Sequence, residues 1–94
     1  MSPSTTFRCS PSVAATQVDD TSTVLLHLSE QTYFELNRTG TRLWHHLDEH
    51  GEVPLSALVD LLDDDQKNVS RADVRADVES FLQALIQKNL LEKS

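Results

Sequence analysis

The side chains best suited to chemistry in this sequence are four histidines, one cysteine and a run of aspartates. His46 and His50 are four residues apart, a spacing that puts two imidazoles on one helix face, as in metal-binding pairs. They lack the glutamate of an HExxH motif and an evident third ligand, which favours ordinary solvated helix residues. Asp63, Asp64 and Asp65 are adjacent, unlike the alternating ligands of a calcium loop. The sequence therefore predicts no metal site.

Nucleophilic or phosphate chemistry is also poorly supported. Cys9 is the only cysteine, which excludes an internal disulfide and a CxxC motif, and we expect it to be unreactive. The sequence has no GxSxG elbow and no glycine-rich phosphate loop, since Gly40 and Gly51 are its only glycines. We therefore expect a protein that is not an enzyme and that carries no cofactor.

Length and composition are those of one small globular domain. The chain has 94 residues, of which 38% are hydrophobic and 24% charged. No apolar run approaches the ~20 residues of a membrane span, and the start lacks the apolar stretch of a signal peptide, so we expect a cytoplasmic protein. A net charge of −7 disfavours nucleic acid, because affinity for phosphates comes mainly from Lys and Arg.

The elements that could position a binding site begin at Val13. Residues 1–12 are rich in Ser, Thr and Pro and predict a flexible tail, so the folded domain is expected over 13–94. Three short segments rich in β-branched and aromatic residues then predict three strands in a meander: VAATQV, TVLLHLS and QTYFELN. In the third strand, Phe34 and Leu36 lie on one face and Tyr33 and Glu35 on the other.

Three amphipathic helices should follow the strands. Asn37 is a good cap for a first helix over about 39–50, and Pro54 suits the first turn of a second. Ser70 and Asp73 resemble a capping box, which predicts a third helix that ends near Asn89. The predicted fold class is α+β, with a three-stranded antiparallel sheet followed by three helices that cover one sheet face.

Two binding functions fit this architecture. Arg71 and Arg75 could begin the recognition helix of a helix-turn-helix DNA-binding regulator, although nearby acids such as Asp73 would oppose phosphate. In a meander, the third strand lies at the sheet edge, and an edge beside a long helix can hold an extended peptide. From the residue pattern alone, a peptide-binding groove and an ordinary sheet edge without a ligand are equally good interpretations of this strand.

Two blocks of sequence resemble the PqqD-like RiPP recognition elements. They are VLLHLSEQTYFELNRTGTRLWHHL and DVRADVESFLQALIQKNLL, and the resemblance covers about residues 13–92. It implies a winged helix-turn-helix-like bundle in which the leader segment of a ribosomally made precursor peptide pairs with the third strand and packs against the third helix. The family often has Gly where this chain has Gln31, and the LLYPE-like segment of the pyrroloquinoline-quinone members is absent.

The resemblance also implies a set of peptide-binding residues and a partner. The residues are Thr32, Tyr33, Phe34, Glu35, Leu36, Val74, Arg75, Asp77, Val78, Phe81 and Leu82. Stand-alone members of this kind are similar to the recognition protein of lasso-peptide systems, which presents the precursor to a separate leader peptidase. Service to another maturation enzyme, such as a radical-SAM protein, would use the same residues.

Overall fold

The computed structural model describes residues 5–65 and 69–93, apart from the side chain of Asp65. Its strands are β1 (Thr6–Cys9), β2 (Val13–Asp19), β3 (Ser22–His27), β4 (Tyr33–Leu36), β5 (Glu52–Pro54) and β6 (Leu91–Lys93). Its helices are α1 (Arg38–His50), α2 (Leu55–Asp65) and α3 (Arg71–Gln87). The predicted α+β class, with an antiparallel sheet followed by three helices, is confirmed. The likeness to a winged helix-turn-helix is loose, and residues 66–68, in the segment QKNVS that would form the turn of a helix-turn-helix, lie outside the described residues.

The three predicted strands form one antiparallel sheet in the order β2-β3-β4. Asp19 lies at the turn of the β2–β3 hairpin. Its carboxylate accepts hydrogen bonds from the backbone N–H (2.7 Å) and the hydroxyl (2.8 Å) of Thr21. These bonds, led by the backbone one, stabilise the ionised carboxylate and lower the pKa of Asp19. The side chain therefore acts as a local turn former.

A second small sheet contains part of the N-terminal segment that its composition predicted to be a flexible tail. β1 pairs antiparallel with β5 on one side and β6 on the other. Phe7, at its centre, is opposite both Val53 and Lys93 and is fully buried. The prediction of a flexible tail is therefore wrong for residues 6–9, because two ladders and one large apolar side chain offset the entropy of ordering them. Residues 1–4 of that prediction lie outside the described residues.

The predicted caps begin two of the helices. The Asn37 side-chain oxygen accepts from the Gly40 N–H (2.9 Å), and the Ser70 hydroxyl accepts from the Asp73 N–H (3.2 Å). Most of the apolar residues at helical spacing are buried in one core: Leu43, Trp44 and Leu47 in α1; Leu55, Leu58, Val59 and Leu62 in α2; Val74, Val78, Leu82 and Leu85 in α3. Phe81 and Ile86, on the same stripe of α3, are half-buried against it. None of the described helices is long and apolar enough to span a membrane.

The sheet presents one face to this core and the other to solvent. Thr23, Leu25 and His27 of β3 are buried, and the Thr23 hydroxyl lies 3.1 Å from the Thr41 hydroxyl of α1. Val24 and Leu26, which alternate with them, are half-buried. The helical layer therefore packs on the side of the sheet that carries Leu25.

Candidate functional site

The edge of β4 has unpaired backbone groups that point away from the sheet. Within the described residues, β4 pairs with β3 and with no other strand. His27 N–H donates to Thr32 O (2.9 Å), and hydrogen-bonded and non-hydrogen-bonded pairs alternate along an antiparallel ladder. By the register, Phe34 is therefore bonded to Leu25, whereas the N–H and C=O groups of Tyr33 and Glu35 point outward. The prediction that this strand forms an edge is confirmed.

The third helix runs beside this edge in the opposite direction. Near the end of β4, the Phe81 ring approaches Gly40 so closely that an added Cβ would lie 2.9 Å from its Cε1 atom. Farther back, Lys88 Nζ lies 5.8 Å from the centre of the Phe34 ring, within the range of a cation–π contact. These two contacts place α3 beside the edge of β4, and we call the region between them the groove.

A tight turn fastens the start of β4 to the end of α3. Gln31 adopts a positive φ of 55°, and its N–H donates to His27 O (2.7 Å). The imidazole Nδ1 of His27 accepts from the Glu30 N–H (3.1 Å), and the Glu30 carboxylate accepts from Asn89 Nδ2 (3.1 and 3.3 Å). Gln31 therefore takes the left-handed conformation that glycine favours, and neighbouring side-chain bonds hold the turn.

Burial sorts the predicted peptide-binding residues into two groups. Leu36, Val74, Val78 and Leu82 are at most 1% exposed, so they belong to the core and cannot touch a ligand in this conformation. Burial thus separates the core members of the predicted set from the rest, because one helix stripe cannot face the core and the groove along its whole length, and the peptide-binding role of the others stays a prediction. The accessible residues are Thr32, Tyr33, Phe34, Glu35, Arg75, Asp77 and Phe81.

The accessible residues do not all lie on the same side of the sheet. Phe34 and Phe81 are half-buried and pack on the core from the groove side, whereas Tyr33 lies on the opposite face of the sheet and is 70% exposed. Sequence reasoning missed Lys88 and Asn89, which contact the β4 region from the end of α3. Both residues are polar and lie outside the apolar stripe, so periodicity carries no signal for them.

The arginines proposed for DNA contact are engaged by carboxylates. Arg71 pairs with Asp60 and Asp63 of α2, and these bonds raise the pKa of its guanidinium. Arg75 Nε lies 2.8 Å from the Glu79 carboxylate. A phosphate would have to compete with these acids, so the start of α3 is poorly suited to duplex DNA.

The surroundings of Cys9, His46 and His50, the residues first considered for catalysis or metal binding, do not favour either role. Burial, aided by Asp48, raises the pKa of the Cys9 thiol to about 12, which suppresses the nucleophilic thiolate. The His46 and His50 rings are adjacent, with centroids 4.1 Å apart. Burial, followed by the nearby His50 charge, lowers the pKa of His46. Within the described residues, no three His, Cys, Asp or Glu side chains converge as a metal site.

Comparisons with known proteins agree with this geometry. Residues 22–91 match the family described as coenzyme PQQ synthesis protein D (PqqD). The structure of TbiB1 in complex with the TbiA(beta) leader peptide is 38% identical, with a TM-score of 0.81 over 90% of this chain and 94% of that one. Lasso peptide synthetase B1 complexed with the leader peptide is 21% identical, with a TM-score of 0.75 over 92% and 96%. No curated protein sequence matches the chain.

Proposed function

The chain belongs to the PqqD family, and we propose that it binds the leader segment of a ribosomally made precursor peptide in lasso-peptide biosynthesis. The leader adds as a strand to the free edge of β4. Support comes from two solved relatives that are complexes with leader peptides, one of them 38% identical to this chain.

The observation that carries the proposal is the outward-facing backbone of Tyr33 and Glu35 beside α3. Backbone hydrogen bonds to these residues supply affinity for any extended peptide. Selectivity comes from alternate side chains, because those on the helix side of the added strand meet Phe34 and Phe81. Strand addition thus uses a feature that would otherwise be an aggregation hazard.

The role is non-catalytic presentation of the precursor to a separate leader peptidase. A module that holds the leader raises the effective concentration of the scissile segment near the peptidase, so it can accelerate cleavage without a reactive group of its own. The raised pKa of Cys9, the most nucleophilic side-chain type in the chain, is consistent with this division of labour.

The test is fluorescence-polarisation titration of a labelled TbiA(beta) leader peptide, the leader bound by the 38% identical relative. Glu35→Pro removes an outward N–H while leaving the bonds from Phe34 to β3, so we expect it to weaken binding at least about tenfold. Glu35→Ala, which keeps the N–H, is the matched control and should bind nearly as the parent protein does.

Circular dichroism must show that both variants are folded. A folded Glu35→Pro variant that still binds with parental affinity would refute strand addition at β4. Labelled duplex DNA serves as a control ligand, and binding to DNA alone that fades with salt would refute the recognition function.

A further inference from the structure

The second free edge of the β2-β3-β4 sheet lies on β2. In the part of the chain that the structure describes, β2 pairs with β3 alone, and it is exposed from its second residue onward. Leu28 N–H donates to Ser12 O (2.8 Å), and bonded and non-bonded pairs alternate along the ladder. The even-numbered residues that follow on β2 are therefore bonded to β3, whereas the N–H and C=O groups of Ala15 and Gln17 point away from the sheet.

This edge lacks features that commonly protect a sheet edge. The strand sequence VAATQVD contains no lysine and no proline, and its register shift lies between Gln17 and Asp19, at the turn end of the strand. The outward groups of Ala15 and Gln17 are thus arranged like those of Tyr33 and Glu35 on β4. An edge of this kind either accepts another strand or is an aggregation hazard.

A cleft lies between this edge and α1. Ala15 and Gln17 are opposite the buried Leu25 and Thr23, so their side chains lie on the helix side of the sheet. Two adjoining cavities, of about 300 and 200 Å³, meet at Gln17 and His45, and we call the space that they form the β2–α1 cleft. The larger cavity reaches the size of a small-ligand pocket.

Trp44 lines this cleft and carries a buried hydrogen-bond donor without an acceptor. Its side chain is almost wholly buried, since Trp44 is 4% exposed, and within residues 5–65 and 69–93 its Nε1 atom has no hydrogen-bond partner. Leaving a buried N–H unpaired is costly, and the indole nitrogen can only donate. An acceptor oxygen from a molecule bound in the cleft would satisfy it.

The lining of the cleft is acidic. Asp20, Asp48 and Glu49 contribute carboxylates, and Arg42 is the only lysine or arginine among the described residues that line it. Three carboxylates against one guanidinium, on a chain with a net charge of −7, favour a cationic side chain over an acidic one. Edge, donor and charge together fit a basic peptide in extended conformation.

We propose that the β2–α1 cleft binds an extended, basic segment of a partner protein, which adds to β2 as a strand. Its backbone bonds to Ala15 and Gln17, and every second side chain enters the cleft. A lysine or arginine of the segment lies among the three carboxylates, and an oxygen atom of the segment accepts from the Trp44 N–H. This site goes beyond the proposed leader function and shares no residue with the groove beside β4.

A second copy of this chain is a poorer occupant of the cleft. Pairing of two β2 edges would bring the carboxylates of both clefts together, in chains that each carry a net charge of −7. Strand β2 itself has no lysine or arginine to offset them. The charges therefore favour a partner of opposite sign.

Trp44 makes the site observable without a label, because it is the only tryptophan in the chain. The probe is a heptapeptide of threonines with a central lysine and blocked termini, since threonine favours strands and its hydroxyl supplies acceptor oxygens. We expect this peptide to change the emission of Trp44 in a saturable manner. The same peptide with a central glutamate should bind at least about tenfold more weakly.

Variants of β2 and α1 test the backbone and charge contacts separately. Ala15→Pro removes an outward N–H while leaving the bonds between β2 and β3, so it should weaken binding of the lysine peptide about tenfold. Ala15→Ser keeps that N–H and is the matched control. Asp48→Asn should weaken binding about threefold by removing one carboxylate. Methylation of alternate backbone nitrogens in the peptide should abolish binding, and it tests strand addition without any change to the protein.

Four results would overturn the inference. They are Trp44 emission that the lysine peptide leaves unchanged, equal affinity for the lysine and glutamate peptides, undiminished binding of the methylated peptide, and parental affinity in an Ala15→Pro variant that circular dichroism shows to be folded. Gel filtration tests the other occupant, since a parental dimer that Ala15→Pro dissociates would assign the cleft to a second copy. Glu35→Pro should leave the emission titration unchanged while it weakens leader binding, so a failure at one edge is distinguishable from a failure at the other.

Discussion

Replacing Gly40 by alanine tests the contact between the first turn of α1 and α3. A Cβ built on Gly40 would lie 2.9 Å from Phe81 Cε1, 3.2 Å from Leu36 Cβ and 3.4 Å from Asn37 Oδ1. The first distance is too short for a real contact, so the ring must move. Leu36 is buried whereas the Phe81 ring is half-buried, so we expect the ring to move toward its exposed side, which faces the groove.

Two opposing effects determine how much Gly40→Ala changes the free energy of unfolding. Alanine is favoured over glycine within a helix by at most about 1 kcal/mol. Overpacking at a tight contact costs about 1–3 kcal/mol. The free energy of unfolding should therefore fall by about 1 kcal/mol, which leaves the protein folded, while the displaced Phe81 ring narrows the groove and weakens leader binding about tenfold.

The assay is urea unfolding and leader titration of Gly40→Ala in two proteins, the parent and the Phe81→Leu variant. Phe81→Leu removes the clashing ring atom, so alanine at position 40 should no longer destabilise that variant. The coupling free energy between the two substitutions should be about 1–2 kcal/mol. If Gly40→Ala has the same effect on stability in both backgrounds, the contact with Phe81 is not why glycine stands at this position.

Two further predictions concern titratable groups. The pKa of Cys9 is about 12 rather than 9.0, so at pH 8 the folded protein should hold roughly a thousandfold less thiolate than the unfolded chain. Labelling of Cys9 with a disulfide reagent should therefore be correspondingly slower in the folded protein. Equal labelling rates with and without urea would contradict this. The pKa of His46 is lowered from 6.5, chiefly by burial, so its contribution to stability is present above pH 6.5 and is lost as the pH falls below it. His46→Gln should therefore lose less unfolding free energy than the parent between about pH 7.5 and pH 5 in urea titrations; identical losses would show that another group dominates.

Local signals predicted the helices because their determinants lie within a few residues. The α1 helix, expected over 39–50, spans Arg38–His50 and is capped by Asn37 as its side chain suggests. The apolar spacing identified the buried side of each helix correctly. These interactions are short-range, so one sequence is sufficient to reveal them.

The β1 strand could not be predicted in the same way. Its partners, β5 and β6, lie more than forty residues away along the chain, and its own four residues include one large apolar side chain, Phe7. Pairing at that separation depends on tertiary structure, which local composition does not encode. The peptide groove is similar: the edge strand was predictable, but the approach of Lys88 to Phe34 was not.

The fastening of α3 to the β4 region has a consequence for binding kinetics. The Glu30–Asn89 hydrogen bonds, the Lys88–Phe34 contact and the packing of Phe81 on Gly40 hold both walls of the groove before any peptide arrives. The conformational freedom lost on binding is then mostly that of the leader. Association rates should consequently be similar for different leaders, and selectivity should lie in how long each one remains bound.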